Sequence, residues 1–139
     1  MVNQAVIIAK MDNIRRNLGR LKEKQGITLE NFSKDRDAQD IVLLNLQAAI
    51  QGCIDISSHI ISDNNWGVPG SLGGLFETLY EEKVISEQIC KIMRGMVGFR
   101  NLIVHEYAGV DMEKVYDIYI HRLGDINSFL KEIITYAKL

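Results

Sequence analysis

The sequence predicts an all-α fold, an antiparallel up-down bundle of four to five helices, from three features of its 139 residues. Proline occurs once, at Pro69, so almost nothing interrupts the backbone hydrogen bonds of long helices. Apolar residues recur at alternating spacings of three and four, the period of a helix face turned toward a core. The strict polar-apolar alternation of a half-buried strand does not occur.

In chain order, Ile7, Met11, Ile14, Leu18 and Leu21 form the stripe of a first helix, which Gln25-Gly26 ends. Thr28 is placed to cap a short turn, and a second helix runs from about Asp35 to Ser62. Its run Ile41, Val42, Leu43, Leu44, Leu46, Ala48, Ala49 and Ile50 is apolar over most of the circumference. Such a helix belongs at the centre of a fold or against another chain. The stretch Asp63 to Gly70, DNNWGVPG, is dense in turn formers and reads as a loop. Ser71 caps a short helix carrying Leu72, Leu75, Phe76 and Leu79, although Gly73-Gly74 are weak helix formers and put its rigidity in question. Ser86 caps the next, with Ile89, Met93, Met96, Val97 and Arg100, and Ala108-Gly109 breaks it. Asp111 starts a last helix whose stripe is Met112, Tyr116, Tyr119, Leu123, Ile126, Leu130, Ile133 and Ala137.

Residues 1–139 read as one domain, since the hydrophobic share of 47% supplies a single core and no linker, repeat or low-complexity segment divides the chain. A net charge of −2 excludes a protein that coats nucleic acid through many phosphate contacts, so any RNA contact is local. The first helix is basic (Lys10, Arg15, Arg16, Arg20, Lys22, Lys24) and the Glu77 to Glu87 stretch acidic, both as solvated faces are. Cys53 and Cys90 lie inside apolar patterns without a metal-ligand spacing, as buried thiols of a reducing cytoplasm do. Without a signal-peptide pattern or an uninterrupted apolar run of about 20 residues, neither export nor membrane insertion is expected.

Of the three histidines, His59 and His121 sit within helical patterns, whereas His105 falls where a helix runs out before Gly109. An Arg five residues before a His is a weak signal by itself. The longer string Gly98-Phe99-Arg100-Asn101-Leu102-Ile103-Val104-His105-Glu106-Tyr107 carries more. Asn101 and His105 share a helix face, so the amide could hold one imidazole nitrogen. Arg100 and His105 lie about 140° apart on an ideal helix and converge only if the last turn unwinds or the Arg reaches across. Together an imidazole, a guanidinium, an amide and a phenol gather at one helix end.

That set suits RNA cleavage without a metal or cofactor. The 2′-OH attacks the neighbouring phosphorus, a neutral His105 takes its proton, and Arg100 stabilises the charge of the phosphorane-like transition state. The sequence offers no convergent carboxylate set or His-x-x-x-His pair for metal chemistry. Two other readings stay open: Arg100 and His105 as cations capping a helix C-terminus, and a non-catalytic helical dimer that binds a nucleotide or a partner protein.

The string Gly98 to Tyr107 closely resembles the R-x4-H-x-Y motif of HEPN-domain proteins, in particular the HepT toxins paired with a minimal nucleotidyltransferase antitoxin. The segments DAQDIVLLNLQAAI, VPGSLGGLFETLYEEKVIS and VYDIYIHRLGDINSFLKEI are similar to that family too, so the likeness spans nearly the whole chain. It implies a HEPN-like bundle and a homodimer with two motifs facing a shared cleft. It implies Arg100 and His105 as the RNase pair, Asn101 as their polar companion, and Tyr107 as the tyrosine to which the cognate nucleotidyltransferase transfers AMP.

Overall fold

The structure, a computed structural model, describes residues 2–139, and all the regular structure among them is helical. Asn3 caps α1 (Gln4–Lys22) by accepting the Val6 N–H, and the buried residues of α1 are the five of the expected stripe. The segment after Thr28 is a helix in its own right, α2 (Leu29–Lys34). Its anchor is Phe32, fully buried with its ring 5.5 Å from that of Tyr116. Asp35 caps α3 (Arg36–Asp63), the 28-residue central helix.

Ser71 caps α4 (Leu72–Glu81) and Ser86 caps α5 (Glu87–His105), both as expected. The glycines Gly73 and Gly74 fall in the first turn of α4, where the Ser71 hydroxyl accepts the Gly74 N–H at 3.0 Å. The cap thus organises the turn where the glycines are weakest. A 3-10 turn (Tyr107–Gly109) follows α5. The expected last helix is two: α6 (Met112–His121), capped by Asp111, and α7 (Leu123–Ala137). They part at Arg122, with φ −117° and ψ 0°, just before Gly124. A one-residue break shifts the apolar phase too little to disturb the stripe, and this split together with the separate α2 gives seven α-helices among the described residues where four to five were expected.

Cross-links between distant residues define the topology. The α1 and α3 helices run antiparallel, with Asn3 N–H donating to Asp63 at one end and Ile14 lying against Gly52 further along. A Cβ at Gly52 would stand 2.5 Å from Ile14 Cγ1, so the glycine sets how close the two helices come. The α3 and α5 helices are antiparallel as well, and α7 closes the bundle through Gln4 on the Ala137 carbonyl and Asn64 on the Tyr136 hydroxyl. One hydrophobic cluster draws side chains from all seven α-helices. By length and apolarity α3 could cross a membrane, but it is the core helix here, with Leu46, Ala49, Ile50, Cys53, Ile56 and Ile60 fully buried.

Candidate RNA-cleaving site

The site is built where the C-terminal half of α5 runs along one face of α3. Phe99 and Ile103 are buried and pin α5 to the core, which turns Arg100, Asn101, Leu102, Val104 and His105 outward to differing degrees. On α3, Asp40, Leu44, Gln51 and Asp55 fall within roughly 60° of one another at about 100° per residue, so they form one stripe beside α5.

Arg100 is the best-held member. Its Nη2 donates to Gln51 Oε1 at 2.8 Å and its Nη1 to Asn101 Oδ1 at 3.1 Å. Gln51 is itself fixed, because its Nε2 donates to Asp55 Oδ1 at 2.9 Å. The Arg100 Nε is buried and without a hydrogen-bond partner among the described residues. Two of the five guanidinium N–H groups are engaged by these bonds. A half-buried guanidinium held by neutral acceptors keeps its full charge for an incoming anion.

Asn101 therefore orients Arg100, not His105 as its spacing suggested. The helix also stays regular through His105, and the unwinding begins after it, at Glu106, where φ is −133° and ψ 40°. Arg100 thus reaches toward α3 while His105 stands exposed at the helix end, and its imidazole has no hydrogen-bond partner among the described residues. Within one chain the last turn does not bring the two together by unwinding.

Tyr107 opens the 3-10 turn and is 51% exposed, and its hydroxyl donates a hydrogen bond to Asp40 Oδ1. That bond is the main reason its phenol is held above the ordinary tyrosine value, while Arg36 pulls the other way. The anchors of Tyr107 and Arg100 on α3 are eleven residues apart, roughly 16 Å along the helix. Between them Leu44 is 67% exposed, with Val104 40% exposed on the same side of α5 as Arg100. The remaining histidines lie apart from the cluster in role: His59 sits 3.0 Å from Asp63 Oδ2, at an angle outside hydrogen-bonding geometry, and His121 is exposed at the end of α6.

Sequence reasoning missed Asp40, Gln51 and Asp55. The signal was present as polar exceptions at offsets of 0, 11 and 15 on a helix otherwise read as apolar. No group of three or more His, Cys, Asp or Glu placed to hold a metal ion occurs among the described residues.

An all-helical bundle with an Arg, Asn, His and Tyr set at one helix end defines the class of protein. Residues 14–133 match the model of a family described as Ribonuclease HepT-like. The chain is 33% identical over 128 residues to an mRNA nuclease HepT of Shewanella oneidensis, covering 92% of this chain and 96% of that protein. It is 26% identical over 135 residues to a tRNA nuclease HepT of Aphanizomenon flos-aquae, covering 97% and 92%. Among solved structures it is similar to the tri-AMPylated HEPN toxin of Shewanella oneidensis in complex with its MNT antitoxin. There the TM-score is 0.86, with 32% identity over 94% of this chain and 97% of that one. The chain belongs to the ribonuclease HepT-like family.

Proposed function

We propose that this chain is the toxin of a toxin–antitoxin pair, a metal-independent endoribonuclease that acts as a homodimer in the cytoplasm and is silenced by AMP transfer to Tyr107. The observation that carries the reading is the prepared Arg100. Gln51 and Asn101 fix its guanidinium on the same helix end that presents His105, in a chain of a ribonuclease family. His105 serves as base for the 2′-OH and Arg100 stabilises the added charge on phosphorus. Asn101 is the orienting residue, acting on Arg100. The exposed Leu44 of α3 and Val104 of α5, on the side where the two helices meet, favour a second copy against this face, which would let the Arg100 of one chain work beside the His105 of its partner.

The relatives support the substrate class and the control. Two of them are nucleases of RNA, and one is AMPylated in complex with its antitoxin. A minimal nucleotidyltransferase is accordingly the partner proposed here. A phosphodiester with its nucleoside on Tyr107 would place a fixed negative charge and bulk on the path of the RNA backbone. Free, buried Cys53 and Cys90 favour a reducing compartment.

The test is cleavage of RNA in excess chelator. The expected products carry a 2′,3′-cyclic phosphate and a 5′-hydroxyl, and His105→Ala or Arg100→Ala each slows the reaction about 100-fold or more with the helical signal intact. Activity that needs added Mg²⁺ would overturn the mechanism. Wild-type activity in His105→Ala would overturn the base and favour a phosphate-binding role for the motif.

A further inference from the structure

Tyr107 is not simply a side chain left in solvent. Although half exposed and lying after the end of α5, its hydroxyl is turned back onto α3 by a single hydrogen bond to Asp40 Oδ1. Asp40 is an exposed carboxylate on the stripe that also carries Gln51 and Asp55, and it takes no part in holding Arg100. Arg36 lies one turn earlier on the same helix, near enough for its charge to act on the same hydroxyl. A nucleophilic oxygen, a proton acceptor in contact with it and a cation beside both are the groups that transfer of a phosphoryl species to a phenol needs.

On the reading of Tyr107 as the AMP acceptor, we propose that Asp40 is the proton acceptor for its modification, so that the toxin supplies the base for its own silencing. The Tyr107 oxygen attacks the α-phosphorus of the nucleoside triphosphate brought by the nucleotidyltransferase. The Oη–P bond forms and the bond from that phosphorus to the pyrophosphate oxygen breaks, with pyrophosphate leaving on the electron pair. The hydroxyl proton passes to the Asp40 carboxylate and from there to water. A phenol of pKa about 10 is only about 0.1% ionised at pH 7, so a carboxylate already in contact removes the need for prior ionisation. The same hydrogen bond favours the neutral phenol at rest, so the nucleophile stays uncharged until attack begins. Arg36 offsets the repulsion that Asp40 would otherwise exert on the incoming phosphates.

The proposal is tested with the full chain, the purified partner nucleotidyltransferase and ATP. The readout is the rate at which the Tyr107 peptide gains about 329 Da per AMP, from pH 6.5 to about 9. Asp40→Asn keeps an oxygen that can accept the hydrogen bond but cannot take the proton. It is expected to slow transfer about 100-fold with partner affinity within about twofold, and its residual rate should climb about tenfold per pH unit as tyrosinate forms. The wild-type rate should be nearly flat over that range, and Asp40→Glu should recover much of it. Transfer to Asp40→Asn at the wild-type rate, a slow rate with the wild-type pH profile, or a loss explained by weaker partner binding would each overturn the proposal. Wild-type chain that gains no mass on the Tyr107 peptide would instead overturn the acceptor reading itself.

Discussion

The two sides of α3 do opposite work. Toward the core, Ala49, Gly52, Cys53 and Ile56 meet a closed surface in which Gly52 leaves no room for a methyl group against Ile14. Toward α5, Asp40 accepts from Tyr107, Gln51 accepts from Arg100 and is held in turn by Asp55, and Leu44 stands in solvent. A small domain has few helices, so one helix supplies both the packing that stabilises the fold and the polar groups that poise the site. Substitutions on the closed side should therefore report in stability, and those on the open side in assembly and rate.

The sharpest break in that division is Leu44→Asp. A leucine exposed in the single chain contributes little to the stability of that chain, so the unfolding midpoint should hardly move at concentrations where the native chain is also monomeric, and should fall only where the native dimer forms. In a dimer formed over this face the new carboxylate would be desolvated without a partner, weakening association about 100-fold or more. Light scattering at micromolar concentration should return a dimer for the native chain and 15.8 kDa for the variant, with RNA cleavage lost alongside. A variant that stays dimeric and active would move the interface elsewhere.

The mirror experiment is Gly52→Ala on the closed side. The added methyl meets Ile14, itself fully buried, and overpacking of this kind costs about 1 to 3 kcal/mol. Urea unfolding should show the loss, while the cleavage rate per folded molecule stays near native. A rate defect larger than the stability defect would mean that the two sides are coupled through the helix.

The closed side was legible in the sequence and the open side only in part. Spacing placed Ile7, Met11, Ile14, Leu18 and Leu21 on the buried face of α1, and caps at Ser71, Ser86 and Asp111 on the helices they start, because periodicity and capping are local. The string from Arg100 to Tyr107 was visible for the same reason. Its partners were not, since Gln51 and Asp40 approach from a helix far away in sequence, and nothing local tells a polar residue that solvates from one that holds an arginine. The Asn101 pairing was misassigned because a spacing of four says which side chains can meet, while a long arginine next door can claim the amide first.

Gln51→Ala sharpens the open side by removing one acceptor from Arg100 while leaving the guanidinium and Asn101 in place. The expected result is a fall in kcat of about tenfold with KM within about twofold, smaller than for loss of Arg100, because positioning is weakened and the charge remains. Single-turnover cleavage measures it. An unchanged kcat would assign Gln51 to packing alone.

The smallest effect contrasts two groups whose proton affinities are raised for different reasons. Cys53, next to Gly52, is pushed up by burial first and by the Asp55 charge second, whereas Tyr107 is raised first by its hydrogen bond to Asp40. In the unfolded chain a thiol titrates near about 8.5. Below that pH both states of Cys53 are protonated and the pH leaves stability unchanged. Above it the unfolded chain loses a proton that the folded chain keeps, so stability falls with rising pH until the raised folded value is reached. The loss from this thiol should be about 1 kcal/mol between pH 7 and 9, and Cys90, also raised by burial, adds in the same direction. Cys53→Ala should lower the midpoint at pH 7 but flatten its decline toward pH 9, while Tyr107→Phe, at a half-exposed position, should leave that decline as it is. An equally steep decline in Cys53→Ala would mean that water reaches this thiol, and that the side of α3 facing α1 is less closed than its packing against Ile14 implies.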